Sequence, residues 1–257
     1  MMPKILSLFS LTPENIGDMA CSWGNQYENF KISNFGEDPY NSYGITSKNV
    51  AFGHINDHRS DYDQFDLIVV GGGGIINKSH EEGIWRVINQ SKKCMIRSVG
   101  VKDWDFAHKI RDIIGDNFTI RHVVDGFTYE ACPSLVFVDR YKTVHGVNKK
   151  IKKTDDILFA VHQNHKKEIE ILQEKGFNYI VNNCELEYAL QKISCCKKIV
   201  TSSYHFLLWA NEFNCDIELF QKDSNKPVSE LDKDSNMLKF INIPVKFEII
   251  DIKKYLN

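Results

Sequence analysis

Short, β-branched apolar runs alternate along this chain with stretches whose apolar residues recur at helical spacing. In the first half, Lys4 to Phe9, Val50 to Ile55, Leu67 to Val70, Cys94 to Gly100, Phe118 to Val124 and Leu135 to Val138 read as strands. Several are apolar throughout, the pattern of strands covered on both faces. Glu82 to Gln90 and Asp103 to Ile114 read as helices, the second closing at Gly115 as a stop signal. A short helix is expected from Met19, and residues 28–48, rich in Asn, Ser, Gly and Tyr, read as loop. The second half repeats the alternation. Strands are expected at Ile157 to Val161, Tyr179 to Val181, Lys198 to Thr201 and Asp216 to Phe220. Helices fall between them, at Lys166 to Lys175, Glu185 to Ser194 and Phe206 to Glu212. Such alternation implies parallel sheets with crossover helices. The expected fold class is therefore α/β, with two Rossmann-like domains facing a cleft. Residues 142–154 are rich in lysine and poor in apolar groups, and read as a linker between domains 1–141 and 155–257.

The run Leu67 to Val70 passes directly into four glycines, Gly71 to Gly74. Glycine enters positive φ freely and has no Cβ, so such a tract admits another molecule to contact distance of the backbone. A tight turn at a strand end is the plain alternative. Strand, glycine turn and helix in sequence can also bring free N–H groups to an anion, which marks Gly72, Gly73 and Gly74 as candidate donor or phosphate contacts. The tract fits neither common nucleotide pattern. Ile76 stands where a dinucleotide fingerprint needs its third glycine, and Lys78-Ser79 lacks the glycine that closes a Walker A loop.

Thr201-Ser-Ser-Tyr-His205 has the same character in the second half: an apolar strand ends in small hydroxyls and a helix begins at once. Ser202 and Ser203 can cap that helix or leave hydroxyls and N–H groups for phosphate. His205 falls in the first helical turn. It is either a histidine packed under a helix start or a group that moves a proton or grips phosphate. Arg97 is the one charge in its apolar strand; such a residue either meets a carboxylate or faces a cleft. Asp18 reads as a helix N-cap or as a site residue.

A formal charge of −2 over 257 residues supplies no field for nucleic acid or an anionic membrane. With 42% hydrophobic residues the chain can bury a real core. No apolar run approaches the roughly 18 residues of a membrane span, and the first ten residues read as a strand rather than a signal peptide. The seven cysteines include no C-x-x-C pair, which suits a reducing, cytoplasmic setting. Adjacent Cys195 and Cys196 read as buried thiols in preference to metal ligands. No cluster with metal-ligand spacing is evident, so no metal is expected.

Four elements in order resemble the polysaccharide pyruvyl transferase family: Asn15-Ile-Gly-Asp18, Asp66 through Gly74, Ile96-Arg97-Ser98, and Thr201-Ser-Ser-Tyr-His205. The resemblance implies a glycosyltransferase-B-like architecture and transfer of pyruvate from phosphoenolpyruvate onto saccharide hydroxyls as a ketal in surface polysaccharide biosynthesis. It implies no cofactor beyond that co-substrate. His205, Arg97 and Asp18 would be catalytic, and Asn15 and Gly17 would meet the acceptor. Many members carry a second arginine just before the histidine; here Ser203 and Tyr204 stand in that region, so part of the anion grip is either missing or supplied from elsewhere, for example by Lys102 or Lys78. Expected partners are a small-molecule donor and a saccharide acceptor; self-association stays open. Two other readings stay open: a glycosyltransferase with a nucleotide-sugar donor, and an inactive sugar- or anion-binding homologue.

Overall fold

A computed structural model describes residues 4–10, 15–33, 50–146, 153–220 and 247–250. The chain divides into two compact units: Met1–Pro13 with Asp18–Ser134, and Glu14–Gly17 with Leu135–Asn257. Each holds one wholly parallel sheet, so the protein is α/β and Rossmann-like.

The first unit begins with β1 (Ile5–Phe9) and continues through α1 (Ile16–Ser33), β2 (Val50–His54), β3 (Leu67–Gly71) and α2 (Glu81–Gln90). It goes on with β4 (Cys94–Val99), α3 (Trp104–Ile114), β5 (Phe118–Ile120) and the two-residue β6 (Thr128–Tyr129). The strands order β2-β1-β3-β4-β5-β6. Strand β1 is buried throughout, β3 from Ile68 onward, and β4 at Cys94, Ile96, Ser98 and Val99, and the core beneath them includes Ile75, Ile84, Val87, Phe106 and Ile110. Helix α3 is fixed at both ends. The Asp103 carboxylate accepts from the Phe106 N–H at 3.0 Å, and Gly115 closes the helix at φ 55°. In α2, a Cβ on Gly83 would collide with the Ile55 carbonyl oxygen, so this helix lies against the end of β2 only because Gly83 has no side chain.

In the second unit come α4 (Leu135–Val144), β7 (Thr154–Val161), α5 (Lys166–Glu174), β8 (Tyr179–Val181) and α6 (Leu186–Cys195). They are followed by β9 (Cys196–Thr201), α7 (Tyr204–Glu212), β10 (Asp216–Phe220) and β11 (Phe247–Ile250). The order is β11-β10-β9-β7-β8. Read from its other edge, this sheet begins second-first-third strand, as the first sheet does. Glu218, buried in β10, is neutralised by Lys198 of β9 at 2.7 Å. Helix α7 is buried from His205 through Ala210, as its nearly continuous apolar sequence demands.

Two expectations fail on helices. Leu135 to Val138, expected as a strand, opens α4 instead. Its apolar run is too short to fix a period, and the helix places Tyr141 against Phe213 and Lys142 on Glu212 at 2.9 Å. The lysine-rich stretch read as linker thus starts inside a helix; residues 147–152 of it lie outside those described. Helix α1 begins at Ile16 rather than Met19 and runs to Ser33, taking in residues 28–33 expected as loop. Its opening turns bury Ile16, Ala20 and Cys21, which nucleates a helix that then propagates.

His122, almost wholly buried, generates a pH prediction. Val101 donates its N–H to Nε2 at 3.4 Å, and burial, with the charge of Arg121 second, pushes the imidazole down to about 4. The folded protein therefore binds this proton less readily than the unfolded chain. The stability is present above pH 6.5 and is lost as pH falls toward 4, by up to about 3 kcal/mol. Denaturant titrations of His122→Gln should show a flatter acid limb than wild type; identical limbs would refute the assignment. Gly83→Ala should lose roughly 1–3 kcal/mol in the same titrations through overpacking, and an unchanged midpoint would show that the helix yields at no cost.

Candidate functional site

A parallel sheet offers ligands the carboxyl ends of its strands, above all where two neighbouring strands send their chains in opposite directions. In the first unit β1 is followed by β2 on one side and β3 on the other, which puts that point between β1 and β3. In the second unit β7 stands between β8 and β9 in the same way. The tetraglycine turn follows β3, and Ser202-Ser203 follows β9. Both stretches singled out in the sequence thus occupy the same place, after the third strand of their sheets.

In the first unit, Gly72 and Gly73 take φ of 77° and 70°, the left-handed region, so the tract is a real turn that side chains would strain. Gly100 donates its N–H to the Gly73 oxygen at 2.7 Å, and the Asn77 carboxamide donates to the Gly74 oxygen at 2.7 Å, fixing the turn from both sides. Asp18 Oδ1 lies 3.6 Å from where a Gly73 Cβ would stand, and Lys102 Cε 3.4 Å from where a Gly74 Cβ would stand. Asp18, Gly73, Gly74 and Lys102 are therefore together. Lys102 is exposed, and so is Lys78, in the short turn that precedes α2.

Arg97 meets a carboxylate. Its guanidinium takes both oxygens of Glu130, with Nε to Oε2 at 3.2 Å, and Thr119 donates its hydroxyl to the same carboxylate. Ser98, next in the chain, sits at φ 50° where the β4–β5 register shifts. This bulge is held by the Ser98 hydroxyl on the Ala131 oxygen at 2.7 Å and by Thr119 Oγ1 on the Ser98 N–H at 2.9 Å. Under the glycine turn, Cys21 of α1 and Cys132 bring their sulfurs to 3.4 Å. The Cys21 thiol is pushed well above its usual range, first by its hydrogen bond with Cys132 and then by burial, and stays protonated.

In the second unit, Thr201 closes β9 by donating its hydroxyl to the Ala160 oxygen at 2.6 Å and accepting the Ser203 N–H at 3.1 Å. Ser203 is the N-cap residue of α7 by position (φ −105°, ψ 129°), yet its side chain makes no capping bond. Of the two uses the sequence allowed for this hydroxyl, capping is not the one it takes. His205, the second residue of α7, is buried. Tyr204 meets its ring edge-on at 5.3 Å, and Trp209 lies at 6.0 Å. A Cβ on Gly17 would fall inside the His205 imidazole, so the glycine is what lets the backbone lie against that ring. Asn15, and not Asp18, caps α1: its carboxamide oxygen accepts the Gly17 N–H at 3.0 Å, while Asp18 lies in the first turn. Ile16 donates its N–H to the Asn182 oxygen at 2.7 Å, tying the start of α1 to the residue after β8.

The expected residues thus form two sets. Gly72, Gly73, Gly74, Asp18 and Lys102 gather in the first unit, with Arg97 engaged by Glu130 one strand away. Asn15, Gly17, Ser202, Ser203, Tyr204 and His205 gather in the second. Glu130 and Asn182 escaped the sequence reading, and Thr201 was noted only as the end of its strand. The one signal was a polar residue directly after an apolar strand run, which fits Asn182 but says nothing of Glu130. Among the described residues no helix is long and apolar enough to cross a membrane.

No protein-family profile and no curated protein matches this chain. Among solved structures, an uncharacterized protein from Klebsiella pneumoniae overlaps 96% of this chain and 92% of its own, at 12% identity and a TM-score of 0.54. A UDP-GlcNAc 2-epimerase from Methanocaldococcus jannaschii overlaps 98% of this chain and 90% of its own, at 10% identity and a TM-score of 0.40. A UDP-GlcNAc 2-epimerase from Neisseria meningitidis, bound to UDP-GlcNAc, overlaps 88% and 85%, at 9% identity and a TM-score of 0.42. At such identity the Klebsiella protein shares an α/β fold with this chain, and the two looser overlaps add nothing to that.

Proposed function

We propose that the chain is a transferase that moves a pyruvyl group from phosphoenolpyruvate onto two hydroxyls of a saccharide, forming a ketal. The observation that carries this reading is the seat of His205: an imidazole in the first turn of α7, held against Gly17, directly after the hydroxyl-rich end of β9. A helix start and small hydroxyls supply donors for a phosphate, and a histidine beside them supplies a proton relay.

The reaction balances without a redox or metal partner. The saccharide gives up two protons as its two oxygens bond to C2 of the donor. One proton ends on the methylene carbon, which becomes a methyl group. The other leaves with the phosphate as the C2–O bond to phosphorus breaks. In this scheme Ser202, Ser203 and the first N–H groups of α7 hold the phosphate, and His205 carries the proton to it or neutralises it as it departs. Asp18, beside the Gly73 turn, orients an acceptor hydroxyl as a hydrogen-bond acceptor, and Lys102 offsets a donor charge there. Arg97 acts through its pairing with Glu130, which fixes the end of β4; it is a positioning residue, not a free anion grip.

With phosphoenolpyruvate and a saccharide pool, the protein should release inorganic phosphate and yield a product heavier by one pyruvate less one water. His205→Gln should cut the rate 100-fold or more, within the usual range for a lost acid–base group, with little change in melting temperature. Gly17→Ala should lower the rate as well and destabilise by roughly 1–3 kcal/mol, because its methyl must displace the imidazole. Wild-type turnover in His205→Gln would remove the histidine from the mechanism. Thermal stabilisation by a nucleotide sugar, with none from phosphoenolpyruvate, would replace the reading with glycosyl transfer.

A further inference from the structure

Two polar atoms at the carboxyl edge of the second sheet are shielded from solvent and meet no hydrogen-bond partner among the described residues: Asn182 Nδ2 and Ser202 Oγ. Asn182 is 1% exposed. Its carboxamide orientation is fixed, because the oxygen accepts the Gln163 N–H at 2.7 Å; the amide nitrogen is therefore the atom left over. The same bond leans the side chain from β8 over the end of β7. The backbone of Asn182 is fully used, its N–H on the Val161 oxygen at 3.1 Å and its oxygen on the Ile16 N–H. Burying a donor without an acceptor costs stability, and native proteins rarely keep one unless something else fills it.

The register places the two atoms on one rim. Val161 pairs with Val181, and Ala160 pairs with both Ile180 and Thr201, so Asn182 and Ser202 leave their strands one residue apart in level. Neighbouring strands sit about 4.8 Å apart, which puts β8 and β9 about 10 Å apart on either side of β7. Between them lies the point where the sheet's connections diverge, beside the first turn of α7. Each of these groups donates. An amide nitrogen and helix-terminal N–H groups offer no acceptor, and a helix start favours negative charge.

We propose that Asn182 is a ligand-binding residue, whose Nδ2 donates to an oxygen of a phosphoryl group that Ser202 also holds at the carboxyl ends of β8, β7 and β9. The inference rests on the reading that the second unit takes the phosphate of the donor. It adds a residue that no motif marked, and it assigns recognition to neutral donors rather than to an arginine.

The test uses the full chain, with inorganic phosphate as probe and sodium chloride at matched ionic strength as control. Binding is read by calorimetry and by melting temperature. Ser202→Ala removes a hydroxyl that meets no partner among the described residues, so its unliganded melting temperature should equal or exceed that of wild type. Its phosphate-induced rise should shrink. Asn182→Asp keeps the oxygen that serves Gln163 and exchanges the donor for a carboxylate, so phosphate affinity should fall tenfold or more. A purely structural role predicts the reverse, lower stability in the empty variants with affinity intact, and that result would overturn the proposal. Wild-type phosphate affinity in both variants would overturn it equally. Phosphoenolpyruvate separates the two levels of inference. If wild type binds phosphate in this pattern but transfers no pyruvate, the phosphoryl site stands and the proposed reaction falls. If transfer proceeds and Asn182→Asp keeps the wild-type KM for phosphoenolpyruvate, the reaction stands and the site falls.

Discussion

Parallel strands impose one constraint on everything else in this protein. A chain that leaves a strand at its carboxyl end must cross over the sheet to begin the next, and it can do so toward either edge. Both sheets turn once, after their second strand, so each has a single place where connections diverge and the strand ends lie open. The sequence spends its unusual residues at those places. Three glycines follow β3, whose last residue is itself a glycine, and two serines, a tyrosine and a histidine follow β9. An entropic cost like that of consecutive glycines is hard to explain by turning alone, since α2 begins only after a further turn and a cap at Asn77.

Close approach is the second theme, and it explains why particular glycines are glycines. Gly17 lets backbone lie on the His205 ring, and Gly100 lets the Arg121 guanidinium lie across the chain after β4. Gly73 leaves room beside the Asp18 carboxylate at positive φ. At Gly17 and Gly100 a polar side chain occupies the space a Cβ would have taken; at Gly73 the Asp18 carboxylate lies in ordinary contact with it. The glycines therefore bring backbone dipoles up to chemistry-bearing groups, which side-chain packing alone would hold away by a methyl group's width.

Much of this was legible beforehand, for physical reasons. Buried parallel strands favour apolar residues, so β1, β3, β4, β9 and β10 could be read within a residue or two and β7 within three, and α3 announced both ends through Asp103 and Gly115. The failures have equally specific causes. Leu135 to Val138 is β-branched enough for a strand, but its neighbours Tyr141 and Lys142 find Phe213 and Glu212 only from a helix, a long-range fact absent from local pattern. Asp18 looked like a cap because it precedes Met19. Asn15 caps three residues earlier through the Gly17 N–H, and the glycine hid the helix start. At the candidate site, residue types gave the strand-end groups but not their partners. Arg97 could be recognised as needing either a carboxylate or a cleft; that Glu130 would answer it, 33 residues later, depended on β6 lying beside β5.

That pairing bears on how this protein can recognise an anion at all. Arg97 is already balanced by Glu130, and the Cys21 thiol is held protonated. The formal charge of the whole chain is slightly negative. On the reading proposed above, recognition in the second unit falls to dipoles: helix-terminal amides, hydroxyls and a carboxamide. Such donors have a property a surface lysine lacks. Salt screens an exposed charge within about 10 Å at moderate ionic strength, whereas buried, preoriented dipoles keep their strength and need no rearrangement when charge develops on a leaving phosphate. Lys102, exposed beside Gly74, belongs to the other regime, in which attraction is long-ranged, weak and sensitive to salt. The tyrosine at position 204 fits this division of labour. In the proposed site it needs no formal charge, because the helix start and the strand-end donors already present one sign of potential.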